Sequence, residues 1–162
     1  MQITYIGHAT LLLRLGNVHI LTDPNFDLKL GAFLPRVTAP GMEIGELPSI
    51  DAVILTHAHA DHLSFRSLRA LPPNIPIYAP AVIARWLRRS GLPLARPITS
   101  GGSIEIGSVA LVAATAKHMG ARYVMDRWRS EALMYLLDNG MSSVLFTGDT
   151  AISADAISLA QR

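Results

Sequence analysis

Three features of this 162-residue sequence predict an α/β fold. Residues 52–91 alternate β-like and helix-like stretches, the pattern of strands linked by helical crossovers. Within that region Ala52-Val53-Ile54-Leu55 is a continuous apolar run, as a strand covered on both faces requires. The chain also opens with short β-rich runs separated by turn residues, as a small meander does.

The elements follow in order. Residues 2–7 and 10–15 are β-rich and part at Gly7-His8, and Gly16-Asn17 forms a tight turn into Val18–Thr22. Asp23-Pro24 stops that strand. Residues 25–50 are broken by Pro35, Pro40, Pro48, Gly31, Gly41 and Gly45, so they read as a long excursion near a functional site. After the 52–55 strand, Ser64 caps a short helix over 65–71, and Ile75–Tyr78 forms another strand. Pro80 opens a helix that Gly91 closes. Ser108–Ala114, Glu131–Leu137 and Ser143–Phe146 read as strands, and Ser153 starts a helix that runs to Arg162.

Composition narrows the function classes. Half the residues are hydrophobic and 16% are charged, enough apolar material for one compact domain. The net charge is +2 and the basic residues are scattered, apart from Arg85, Arg88 and Arg89, which read as a solvated helix face. No nucleic-acid partner is therefore expected, despite a pI near 9.3. With no cysteine, any metal must be held by histidine and carboxylate, a set that suits zinc, manganese or iron. No apolar run is long enough to span a bilayer, and the first residues lack the pattern of a secretory signal. A cytoplasmic protein is the expectation.

The chemistry concentrates in Thr56-His57-Ala58-His59-Ala60-Asp61-His62, directly after the apolar strand. Histidines two apart point the same way from an extended backbone and can grip one ion. The turn that follows would bring Asp61 and His62 to a second. This composition yields H-x-H-x-D-H by chance on the order of a few times in ten thousand, so the motif is specific. Ala58 and Ala60 are expected to leave room for ions and substrate.

With Ile6-Gly7-His8-Ala9-Thr10, Leu21-Thr22-Asp23-Pro24, Ala116–Arg122 and Phe146-Thr147-Gly148-Asp149-Thr150, this motif resembles the metallo-β-lactamase superfamily. The likeness is strongest to the branch of ascorbate-phosphate lactonases and N-acyl-phosphatidylethanolamine phospholipase D. It implies a four-layer α-β-β-α sandwich and two divalent ions, zinc first, with manganese or iron compatible. Carried over, it implies that His57, His59 and His118 bind the first ion, Asp61 and His62 the second, and that Asp149 bridges them. Read alone, His118 and Asp149 each follow an apolar strand, where an ordinary hydrogen-bonded histidine or a capping aspartate would also fit. Asp23 either accepts the spare ring N–H of a ligating histidine or makes an Asp-Pro turn. His8 either faces the substrate or is a satisfied turn histidine. Arg122 is a candidate for a substrate phosphate or carboxylate, or a plain surface residue. His19 reads as structural.

The implied reaction is hydrolysis of an ester-like bond, lactone or phosphodiester, by metal-activated hydroxide. Asp61 is the candidate to orient the nucleophile or pass on its proton. Relatives of this kind continue beyond the Gly-Asp-Thr turn and supply a last histidine, whereas this sequence has none after His118. The expectation is a C-terminally incomplete sandwich with a weaker second site, either part of a longer product or completed by a second copy in a homo-oligomer. Two other functions fit the residues: a nuclease of the same superfamily, and a catalytically silent metal-binding or interaction domain. A nuclease should carry basic or aromatic strips, and the 6% aromatics and scattered charge argue against one.

Overall fold

A computed structural model of the chain describes residues 1–31, 34–119 and 131–161. Strands β1 (Gln2–Gly7), β2 (Thr10–Leu15) and β3 (Val18–Thr22) form the antiparallel meander expected at the start of the chain. Two-residue turns join them, and Gly16 takes the left-handed φ of +63° at the second. Lys29–Leu30 (β4) and Leu34–Pro35 (β5) pair briefly, and Ile44–Glu46 forms one turn of 3-10 helix. The excursion is therefore largely irregular.

Strand β6 (Ala52–Ile54) then enters parallel to β3, and β7 (Ile77–Pro80) and β8 (Ala95–Ile98) follow in parallel. Helices α1 (Phe65–Ala70) and α2 (Ala81–Arg89) make the crossovers. Ser64 caps α1 by accepting a hydrogen bond from the Ser67 backbone N–H. The resulting six-stranded sheet has the order β1-β2-β3-β6-β7-β8. A second, antiparallel sheet has the order β12-β11-β10-β9, from β9 (Ser103–Ile106), β10 (Val109–Thr115), β11 (Leu133–Asp138) and β12 (Ser143–Phe146). Helix α3 (Ala154–Ala160) closes the described chain, with Ser153 as its cap.

Alternation along the strands sorts the core into three layers of contact. Leu13, Leu15, Ile20 and Ile54 face Val109, Leu111, Tyr135 and Leu137 between the sheets. Leu12, Leu21, Val53 and Leu55 point the other way, against Leu68 of α1 and Ile83 and Leu87 of α2. Met134 and Leu136 leave the far face of the second sheet to meet Leu159 of α3. Each large side chain buried this way contributes roughly 1.5–3 kcal/mol. The layers are helices, sheet, sheet, helix: the α-β-β-α sandwich expected from the motifs.

Several boundaries differ from the sequence reading, among them β11, which begins at Leu133 where Glu131 was expected. Strand β7 begins two residues later than expected, and β8 and β9 were not anticipated. Pro97 lies in β8, which pairs on one side only, where a missing N–H is tolerated. Among the described residues no helix is long and apolar enough to cross a membrane.

Candidate metal centre

The end of β6 delivers the histidine run to one edge of the sandwich. His57 and His59 emerge on the same side of the extended segment, their ring centroids 4.5 Å apart. Ala58 points the opposite way and is fully buried in the helix-side core. This corrects the expectation that Ala58 leaves room for ions: its small size serves packing. The His59 carbonyl then accepts from the His62 and Leu63 N–H groups, a tight turn that swings Asp61 and His62 back towards the histidines.

His118 and Asp149 arrive from the second sheet. A bridge between Lys117 and Ala151, with the Lys117 N–H donating to Thr150 Oγ1, pins their two segments together. His118 Nε2 lies 3.1 Å from His59 Nδ1, and its ring centroid lies 4.7 Å from that of His57. One ligand atom from each of His57, His59, His118 and Asp149 falls within 4.8 Å of the others. The two Asp149 oxygens divide their attention. Oδ2 lies 3.9 Å from both His57 Nε2 and His118 Nε2, while Oδ1 lies 3.3 Å from His62 Nε2. Gly148 makes this approach possible, since its φ of +53° and its closeness to Thr56 leave no room for a side chain.

Asp23 organises the two buried histidines. Its carboxylate is fully buried and accepts from the Thr56 N–H (2.8 Å), Thr56 Oγ1 (2.6 Å) and His62 Nδ1 (2.8 Å). A carboxylate only accepts, so His62 carries its proton on Nδ1. Thr56 Oγ1 has spent its hydrogen on Asp23 and must accept from His57 Nδ1, 2.9 Å away. Both rings are thus held with Nδ1 protonated and Nε2 bare. Those two Nε2 atoms are buried, with no hydrogen-bond partner among the described residues. Of the two readings of Asp23, the histidine-orienting one matches these contacts.

For His57 the electrostatics agree with that arrangement. Burial, then the neighbouring His62 and His59 rings, pulls the His57 imidazole down to about 2. Burial and His118 lower His59. Burial also opposes charge on His62, but the hydrogen bond and negative charge of Asp23, with Asp149 and Asp61, outweigh it and raise that ring. Asp61 is lowered: burial resists its ionisation, and His62, a backbone hydrogen bond and His8 overcome it. Neutral imidazoles at His57 and His59, and at His62 a ring whose carboxylate neighbours favour positive charge, proton or cation alike, make a donor set that suits a divalent cation.

The excursion packs against this site, as expected. Asn25 is buried and its amide donates to the carbonyls of Ala60 and Asp61, which fixes the turn that carries Asp61 and His62 from behind. Arg36 in turn donates to the carbonyls of Asp27 and Asn25. Sequence reading missed Asn25 and Thr56. Their only signals were position, directly after Asp23-Pro24 and directly before His57. His8 Nε2 reaches Asp61 Oδ2 at 2.9 Å. His19 lies apart, on β3, and Arg122 lies outside the described residues. An open cleft of about 390 Å³ leads in, lined by His8, Leu11, His62, Phe146 and Asp149.

Comparison with known proteins decides the family. Residues 19–161 match the Beta-lactamase superfamily domain. The chain belongs to the metallo-β-lactamase superfamily. Within that superfamily, a UPF0173 metal-dependent hydrolase of Rhizobium leguminosarum bv. trifolii is 29% identical over 162 residues, covering 96% of this chain. The chain spans 65% of that relative's length. The N-acyl-phosphatidylethanolamine-hydrolyzing phospholipase D 1 of Caenorhabditis elegans is 30% identical over 96 residues, 55% of this chain and 27% of that protein. Among solved structures, an isothiocyanate hydrolase from Delia radicum gut bacteria shares the fold, with a TM-score of 0.81 at 22% identity. That match covers 99% of this chain and 67% of the hydrolase.

Proposed function

We propose that this chain forms the metal-holding core of a metal-dependent hydrolase acting on an ester-like bond, a lactone or a phosphodiester. The observation that carries the reading is the pair of buried Nε2 atoms on His57 and His62, without a hydrogen-bond partner among the described residues and both facing Asp149. A buried polar atom without a partner costs about 1–3 kcal/mol, a cost that a bound cation removes. In this reading His57, His59, His118 and Asp149 hold one ion, and Asp61, His62 and Asp149 hold another, zinc being the first choice. Such ions, when bound, lower the pKa of a coordinated water towards about 7 and stabilise charge on the leaving oxygen.

The remaining work falls to the chain itself. Asp23 and Thr56 keep the His57 and His62 lone pairs aimed into the site. Asp61, partly exposed beside His62, would orient the attacking water or pass its proton on. Leu11, Leu145 and Phe146 give the cleft an apolar wall suited to the hydrocarbon part of an ester. The phospholipase likeness supports a lipid-like member of that substrate class.

The test is metal analysis paired with turnover. The metal-stripped chain, reloaded with zinc, is expected to take up about two equivalents and to cleave bis(p-nitrophenyl) phosphate or a simple lactone. His59→Ala should abolish the first equivalent and the turnover. Unaltered stoichiometry in that variant would overturn the assignment. One equivalent without turnover would favour a silent metal-binding domain.

A further inference from the structure

The sequence has six histidines, and five of them gather at this edge of the sandwich. The fifth is His8, whose place is not explained by the histidine run. It is the first residue of the two-residue turn between β1 and β2, where Gly7 pairs with Thr10 and the register slips by a bulge after Tyr5. Its φ is +55°, a left-handed conformation in a residue with a side chain. That conformation costs about 1–2 kcal/mol, and glycine or asparagine would fill such a turn more cheaply. The His8 N–H donates to Tyr5 Oη at 2.9 Å, which holds the strained backbone in place. Strain that persists at a functional edge points to a role for the residue it aims.

The strain aims the His8 ring at the outer half of the site. Nε2 lies 2.9 Å from Asp61 Oδ2, and the ring stands edge-on to His62 with centroids 5.2 Å apart. One ligand atom each from His8, Asp61 and His62 lies within 4.8 Å of the others. His62 Nε2 is the buried, unpartnered atom already described, and Asp149 Oδ1 sits 3.3 Å from it. Donor atoms that each bond one ion at about 2.0–2.2 Å sit about 3 Å or a little more apart. A hydrogen bond between a turn histidine and Asp61 accounts for one of these distances. It does not account for the bare His62 nitrogen beside them.

We propose that His8 is a ligand of the second cation, joining Asp61 and His62, with Asp149 Oδ1 facing the same His62 nitrogen. The inference rests on the proposed metal-holding function and adds to it a residue from the first hairpin of the sheet. The first position, at His57, His59 and His118, does not involve His8.

Titrating the metal-free full chain with Co²⁺, followed by calorimetry and by the visible Co²⁺ spectrum, tests it. The native chain is expected to take two equivalents. His8→Ala should keep the first with unchanged affinity, which also reports that the variant is folded, and should weaken the second by 100-fold or more. His8→Gln separates ligation from mere orientation of Asp61, because glutamine can still donate to that carboxylate. A ligand role predicts that His8→Gln matches His8→Ala. Native-like second-site binding in His8→Gln overturns the proposal and leaves the metal-dependent reading intact. A native chain that takes only one equivalent also overturns it. A native chain that binds no Co²⁺ overturns both.

Discussion

The Asp23 carboxylate lies 2.8 Å from His62 Nδ1 with both side chains shut off from solvent. The same carboxylate holds Thr56, and through it His57. One buried acid therefore sets the tautomer of two histidines, His62 directly and His57 through Thr56. Asp23→Ala leaves three buried donors without an acceptor and should cost about 3 kcal/mol or more in urea unfolding of the metal-free chain. Affinity at both metal positions should fall by roughly 10–100-fold in the same variant. Unchanged affinity at either position would contradict the relay.

Tyr135 spans the gap between the sheets, donating its hydroxyl to the Leu55 carbonyl at 2.7 Å. Burial first, with the negative charge of Asp23 and Glu131, raises its phenol well above 10. The unfolded chain ionises near 10 while the folded chain does not, so this contribution to stability is present below about pH 10 and is lost as pH rises beyond it. The ultraviolet phenolate signal of Tyr135, read as the difference between the native chain and Tyr135→Phe, should appear only as the protein unfolds. Tyr135→Phe itself should cost about 1–2 kcal/mol.

Acid should act through His57. Its folded value of about 2 lies below the ordinary 6.5, so the unfolded chain binds the extra proton throughout that interval. The contribution of His57 is complete above about 6.5 and shrinks as pH falls, by up to about 1.4 kcal/mol per pH unit. His62 is raised and works in the opposite sense, stabilising below 6.5 and losing that effect as pH rises through its folded value. Melting temperatures of the metal-free chain between pH 7.5 and 5 should decline, and His57→Gln should flatten the decline.

Two glycines offer a matched comparison. Gly148 has φ +53° and a Cβ there would lie 2.8 Å from Thr56 Cγ2, whereas Gly140 has φ +80° and open space around it. Gly140→Ala should cost only the left-handed strain, about 1 kcal/mol. Gly148→Ala adds the clash and displaces the Asp149 turn, so it should cost about 2–3 kcal/mol and weaken metal binding. Equal losses in the two variants would show that the contact with Thr56 is soft.

Much of this fold could be read from local signals. Ser64, Pro80 and Ser153 mark helix starts that the structure reproduces, and the glycine at 16 marks a real turn. Ala95–Ile98 and Ser103–Ile106 escaped because each is four residues long, one holds a proline and the other is hemmed by glycines. The histidine run was legible because its residues are contiguous and their spacing has a mechanical meaning. The role of Thr56 was not, because nothing in a threonine before a histidine reveals the acid 33 residues away that claims its hydroxyl. His8 is the sharper case: its turn was visible, and its approach to Asp61 depends on how the first hairpin lies across the sheet.

The carbonyls of Leu55 and Thr56, just upstream of the histidines, are both claimed by the opposite sheet, by Tyr135 Oη and the Leu133 N–H. During synthesis, all of residues 57–62 exist long before those partners have been made. The coordinating loop then lacks two of the anchors that give it its shape. On the proposed metal-holding reading, an ion would be captured late in the life of the nascent chain, sealing a docked pair of sheets instead of nucleating it.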